Sequence, residues 1–220
     1  AEEISRRNGF GGNVQMRRYP LQCDRAVIVS GRAGGIPSFF DSAIGGTGAH
    51  PLAGMGAGFT RLQAKQPILV DLVHVHRGYV VDATRMYSIG QLPEPWDERL
   101  SAMIEVSDSV VTSLGRGEDC SKAWEIGSQL AESMGYSEHL MGMKPDQSKF
   151  LGHSVGLQLD ESPVVASGFD RPLTTSGVMA IEPKLVYSDG SIGIEDTWLQ
   201  TDEGLEKLTL HNRPSFLTII

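Results

Sequence analysis

The sequence predicts an α+β fold built on an antiparallel sheet, and three observations carry that expectation. β-Branched runs at Ile28–Val29 and Ile68–Val75 read as strands. Two amphipathic helical patterns then follow one another with no strand pattern between them. Strand-like runs return at Leu157–Leu159, Val178–Ile181 and Ile192–Leu199. Strands, two helices and strands again leave no alternating βαβ units, which disfavours a parallel sheet.

The first helix is expected near residues 97–114. There Leu100, Met103, Ile104, Val110, Val111 and Leu114 fall on one face, and Gly115 supplies a stop. The second is expected at about 121–134, with Ala123, Trp124, Ile126, Leu130, Ala131 and Met134 as its buried stripe and Gly135 at its end. Neither helix carries a chemical motif. Between the first two strands lies Gly45-Gly46-Thr47-Gly48-Ala49-His50-Pro51, followed by Gly54, Gly56 and Gly58. A phosphate-binding loop would end in Gly-Lys-Ser/Thr and open a helix. This segment does neither and is expected to be an irregular loop.

The chain has 220 residues, 40% of them hydrophobic. That supports one domain with a continuous core, and no linker, repeat or low-complexity tract divides it. The formal net charge of −8 repels phosphate backbones, so no nucleic-acid partner is expected. Arg6, Arg7, Arg17 and Arg18 read as solvated surface. Two cysteines, Cys23 and Cys120, are too few for a disulfide framework, and a reducing cytoplasmic compartment is the default. No apolar run approaches the ~20 residues of a membrane span, and no signal peptide is visible. The chain starts at Ala1 without Met and inside an element, so it is expected to be a piece of a longer protein.

Two segments carry chemistry. Asp71-Leu-Val-His-Val-His-Arg-Gly-Tyr-Val-Val-Asp82 reads as a hairpin turning near His76-Arg77-Gly78. Side chains alternate faces along a strand, and a two- or four-residue loop pairs residues whose numbers sum to an odd value. Asp71 and Asp82 satisfy that condition and share a face, directly opposed or diagonal. His74 and His76 have the other parity and face away. A second hairpin, Glu182-Pro-Lys-Leu-Val-Tyr-Ser-Asp-Gly-Ser-Ile-Gly-Ile-Glu195, turns at Ser188-Asp189-Gly190 and places Glu182 and Glu195 on one face by the same parity. Like charges facing each other across a ladder destabilise it. Two divalent cations would offset four carboxylates, and oxygen ligands suit Mn²⁺, Mg²⁺ or Ca²⁺. The alternative is that these acids face solvent or pair with Lys and Arg. His153, in the apolar run Phe150-Leu-Gly-His-Ser-Val-Gly-Leu157, is either a satisfied core histidine or a further ligand that favours a transition metal.

With these residues the chain resembles the pita-bread metallopeptidases: methionine aminopeptidase, Xaa-Pro dipeptidase (prolidase), aminopeptidase P and creatinase. The prolidase-like branch is the nearest in pattern. The resemblance runs from about Gly9 to Thr209. It rests on Gly78-Tyr79 with Asp82-Ala-Thr-Arg85, on Gly152-His153-Ser154-Val155-Gly156, on Ile181-Glu182-Pro183, and on Ile194-Glu195-Asp196-Thr197. It implies a curved antiparallel sheet backed by helices, formed as a catalytic domain over residues 1–220, with the first helices missing. It implies metal ligands Asp71, Asp82, His153, Glu182 and Glu195. Asp71, Asp82 and Glu195 would hold one ion and His153 and Glu182 the other, with Asp82 and Glu195 bridging. The cofactors would be two divalent ions, Mn foremost, with Co, Zn or Fe as alternatives. The implied activity is Xaa-Pro dipeptidase- or aminopeptidase-like hydrolysis of short peptides by a metal-bridged hydroxide, with Glu182 shuttling a proton, in a cytoplasmic homodimer.

The pattern also departs from the family. The peptidases carry His-Glu-x-Pro where this chain has Asp160-Glu161-Ser162-Pro163, so a carboxylate replaces a hydrogen-bond donor to the substrate or oxyanion. Gly193 stands where the Xaa-Pro enzymes have Arg. His50 corresponds to an upstream histidine that lines the pocket. Asp160, His50 and Glu182 are therefore the candidate catalytic residues. The departures keep open a non-peptide amide or C–N hydrolase or lyase on the same metals, and a binding module that has lost catalysis.

Overall fold

A computed structural model describes residues 2–12, 14–17, 22–23, 26–37, 42–51, 54–209 and 216–220. Arg18 of the basic cluster lies outside them. The elements run α1 (Glu2–Arg7), β1 (Val14–Gln15), β2 (Gln22–Cys23), β3 (Ala26–Ser30), β4 (Ile68–His76), β5 (Tyr79–Ser88), α2 (Trp96–Gly115), α3 (Cys120–Ser133) and β6 (Gly152–Ser154). They continue as β7 (Glu161–Val165), β8 (Val178–Ile181), β9 (Lys184–Tyr187), β10 (Gly190–Gly193), β11 (Asp196–Thr201), β12 (Gly204–Lys207) and β13 (Leu217–Ile219).

The strands form a four-stranded sheet in the order β13-β5-β4-β3 and a five-stranded sheet in the order β12-β11-β8-β6-β7. Two ribbons, β1-β2 and β9-β10, complete them. Among the described strands the pairings are antiparallel except β13 with β5, which is parallel. The fold class is therefore the expected α+β.

The helices form where the period predicted them. Along α2, Leu100, Met103, Val106, Val110 and Leu114 are buried, while Ile104 and Val111 pack at the margin. Along α3 the buried face is Cys120, Ala123, Gly127 and Ala131. Gly127 is a close-approach point, because a Cβ there would stand 2.6 Å from Leu151 Cδ1 and 2.8 Å from Val110 Cγ2. Arg116 caps α2 and Gly117 takes the left-handed conformation (φ 79°) just beyond it, so the stop falls slightly past Gly115. No described helix is long and apolar enough to cross a membrane.

Two strand expectations are corrected. Leu157–Leu159 is a bent loop, and Leu157 is 66% exposed. The ladder of β6 slips between His153 and Ser154, and the Glu161 carboxylate accepts hydrogen bonds from the Leu157 and Gln158 N–H groups, so local capping wins over the strand pattern. Ile192–Leu199 is two strands rather than one. The chain leaves β9 as its partner at Gly193 and takes up β8 at Asp196.

Candidate metal centre

The first hairpin closes on a two-residue turn, with His76 opposite Tyr79 and both Arg77 (φ 52°) and Gly78 (φ 90°) left-handed. That register sets Asp71 opposite Thr84 and Asp82 opposite Val73, so the two carboxylates are diagonal neighbours on one face. His74 faces the other way and packs its ring against Phe10, with centroids 5.6 Å apart. On the acidic face, Leu69 and Met86 join one apolar cluster and Val73 and Val80 another, so the carboxylates are flanked by two apolar patches.

The second hairpin has a two-residue loop, Ser188-Asp189, with Tyr187 opposite Gly190 and Lys184 opposite Gly193. The same register continues across the strand break, where Ile181 lies opposite Asp196, so Glu182 and Glu195 face each other at the join. An isolated bridge between Thr84 and Glu195 ties this hairpin to the first. Thr197 repeats the tie: its Oγ1 accepts from the Asp82 N–H at 3.0 Å and donates to the Asp82 carbonyl at 2.8 Å. Arg85 donates to the Glu195 carbonyl at 2.6 Å and pairs with Asp196 at 2.5 Å.

The five residues singled out by sequence therefore meet in one place. Asp82, His153 and Glu195 are buried, with one donor atom from each lying within 4.8 Å of the others. Asp82 Oδ1 and Glu195 Oε1 have no hydrogen-bond partner. The His153 Nδ1 lies 3.3 Å from the Ser154 carbonyl oxygen and its Nε2 lies 3.2 Å from Glu182 Oε1. Thr84 Oγ1 donates to Glu195 Oε2 at 2.7 Å. Asp71 is 18% exposed at the edge of the group.

Lys184 is the residue the sequence reading missed. It is 1% exposed, and its Nζ lies 2.5 Å from Glu182 Oε2, 3.0 Å from Glu195 Oε2 and 3.6 Å from Asp71 Oδ2. Pairing of these acids with a lysine was the stated alternative to metal binding, and it is realised in part. The available signal was parity: Lys184 stands two residues beyond Glu182.

The electrostatics follow from burial and from who sits beside whom. Burial, with Glu195 and Asp71 as neighbours, holds Asp82 well above the ordinary carboxylate range. Glu195 is pushed up to about 8 by burial, against the pull of Lys184 and with the push of Glu182 and Asp71. Asp71 is raised chiefly by burial. Glu182 goes the other way, to about 2, because Lys184 and His153 outweigh its burial. For His153, burial is outweighed by the hydrogen bond and charge of Glu182, and its pKa rises. Asp82 and Glu195, both raised, are also the acids that keep an unpartnered oxygen.

The other two candidates are not among the buried residues. Asp160 is half-buried and its Oδ1 accepts a hydrogen bond from the Arg17 N–H at 2.5 Å. His50 is exposed on the glycine-rich loop. That loop runs beside β3, where a Cβ on Gly46 would meet Val29, and β3 pairs Val27 with Asp71. Cys120 is buried and free, with its thiol pushed up to about 11 by burial, so it is not a reactive nucleophile.

Two sheets joined at Thr84 and Glu195 bring together an acidic and imidazole cluster that could hold a metal ion in an α+β protein. The comparisons give the family: the model of metallopeptidase family M24 matches residues 22–202, and the chain belongs to that family. Among curated proteins it is 30% identical to an uncharacterized peptidase of Staphylococcus aureus (strain MRSA252) over 158 residues, 71% of this chain and 43% of that protein. It is 28% identical to a Xaa-Pro dipeptidase of Pyrococcus horikoshii over 154 residues, 70% of this chain and 42% of that protein. The crystal structure of an X-Pro aminopeptidase from Thermotoga maritima superposes with a TM-score of 0.76 at 21% identity, covering 99% of this chain and 55% of that one. The fold is the pita-bread fold that the resemblance implied. The chain spans about two-fifths of the length of the curated relatives it matches.

Proposed function

We propose that the protein carrying this chain is a metal-dependent peptidase of the Xaa-Pro dipeptidase and aminopeptidase type, acting on short peptides, with the hairpin cluster as its catalytic centre. The observation that carries this reading is the convergence of Asp82, His153 and Glu195 with two buried carboxylate oxygens left unpartnered. Such oxygens are costly unless a donor or a cation meets them. The residues fit a divalent ion. Two carboxylate oxygens and one imidazole suit Mn²⁺, with Co²⁺, Zn²⁺ or Fe²⁺ as alternatives. A proton on His153 Nδ1, donated to the Ser154 carbonyl, would leave Nε2 free as a ligand. Asp71 and Glu182, the other ligands implied by the resemblance, are engaged by Lys184.

When bound, the ion supplies an acidified water and stabilises the developing oxyanion. The chain's own groups do the rest. Thr84 and the ladder at the join orient the Glu195 carboxylate. Glu182, held ionised, accepts a proton and returns it to the leaving amine. His50, exposed on the glycine-rich loop, and Asp160, bonded to the Arg17 backbone, would act on the substrate rather than on the ion. The longer protein would work as a cytoplasmic homodimer.

Two observations favour a second reading, a non-peptide amide or C–N hydrolase or lyase. Asp160 offers a carboxylate where a donor is expected, and Gly193 has no room for a side chain. The test is turnover by the longer protein, with Mn²⁺ and after chelation, on Xaa-Pro dipeptides, other dipeptides and non-peptide amides. Metal-dependent cleavage of dipeptides, lost in His153→Ala, is expected. Cleavage of non-peptide amides alone would install the second reading. No metal-dependent turnover on any of them would leave a binding module.

A further inference from the structure

We propose that Lys184 is a built-in cation standing where a second metal would lie, so that the chain holds one divalent ion. This rests on the metal-centre reading above and refines it. The carboxylates of the two hairpins divide their oxygens between two places. Glu195 gives Oε2 to the Lys184 ammonium and to Thr84, while its Oε1 has no partner. Glu182 gives Oε2 to Lys184, and its Oε1 lies against His153. Asp71 Oδ2 lies on the lysine side at 3.6 Å, and Asp82 Oδ1 is unpartnered on the other. One side of the pocket is therefore filled by an ammonium with three carboxylate neighbours. The other side presents Asp82, His153 and Glu195, the single group of donors close enough together for an ion among the described residues.

A separate feature of the backbone makes room for this arrangement. Gly193 lies directly opposite Lys184 in the β9–β10 ladder. A Cβ at Gly193 would stand 2.5 Å from the Pro183 carbonyl oxygen and 2.7 Å from both Cα and Cγ of Lys184. The aliphatic stem of Lys184 thus occupies the volume that any side chain at residue 193 would need, and it leads the ammonium to the carboxylates. A cation coordinated by Asp71 and Glu195 would have to displace that ammonium, and the two positive charges would repel strongly in so buried a site.

The test is metal stoichiometry on the full chain, by equilibrium dialysis against Mn²⁺ with elemental analysis and electron paramagnetic resonance. Wild type is expected to saturate at one Mn²⁺ per chain with an uncoupled spectrum. Lys184→Gly, which vacates the lysine side, is expected to bind two, with spin coupling between them. Two ions in the wild type would overturn the inference and leave the metal-centre reading standing, whether or not the variant folds. No bound ion in the wild type would overturn both. A folded Lys184→Gly chain that still takes up one ion would overturn the role given to the lysine.

Discussion

Glu195 sits where most of the forces in the site meet, and two expectations follow from its surroundings. Thr84 touches no proposed ion position, yet its hydroxyl fixes one of the two Glu195 oxygens at 2.7 Å. Partners of this kind typically contribute 10–100-fold to metal affinity. Thr84→Val keeps the volume and removes the donor, so a competition titration should show Mn²⁺ affinity weakened by about 10–100-fold. The second expectation concerns pH. The Glu195 carboxyl is raised from 4.5 to about 8 in the folded chain, so the folded state binds the extra proton. That contribution to stability is complete below about pH 4.5 and is lost as pH rises through about 8. Asp82 and His153, both raised, act in the same direction. Glu182, lowered to about 2, acts only below about 4.5 and leaves this window untouched. Melting temperatures of the chelated chain should therefore fall steadily from pH 5 to 8, and Mn²⁺ should reverse the trend, since it binds the folded state and competes with those protons. A flat profile in both conditions would count against the cluster.

At the scale of elements, the first hairpin is set by its turn as much as by its strands. Both central residues of the turn need positive φ, and Arg77 takes that conformation with a Cβ present. Asn or Gly tolerates it better, so Arg77→Asn should stabilise the chain by about 0.5–1 kcal/mol in denaturant unfolding, with no change in metal binding. The parity that places Asp71 and Asp82 together was legible because any even-length loop pairs residues whose numbers sum to an odd value, while the diagonal register came from the structure. The strand of His153 was not legible. It spans three residues, Gly152–Ser154, and its ladder contains a slip, so neither length nor alternation marks it. Gly152 has a visible reason in the structure, since a Cβ there would stand 2.4 Å from the Ala180 carbonyl oxygen.

The whole molecule depends on how firmly the two hairpins are joined. Asp196 is 2% exposed at that join and accepts from Arg85, Lys207 and Thr209. Removing one partner of a buried ion pair leaves the others uncompensated, at a cost of about 3–5 kcal/mol. Asp196→Ala should lower stability by that amount in a two-state denaturant titration. It should also weaken metal binding, because Arg85 holds the Glu195 backbone as well. A loss below about 1 kcal/mol would show that the join bears little of the fold's stability.

The sequence by itself determined the class of fold, the two helices and the parity that pairs the acids on two hairpins, while the set of five metal ligands came from the family resemblance. The features read from the residues are local patterns: helical period, strand parity and turn residues. Only the tertiary structure decided which of those acids keep an unpartnered oxygen. That depends on Lys184 crossing Gly193 from the facing strand, on Thr84 and Glu195 bridging between hairpins 111 residues apart, and on the two apolar patches that flank the acids. Burial and charge balance arise from groups distant in the chain and close in space, and no pattern within a single element encodes them.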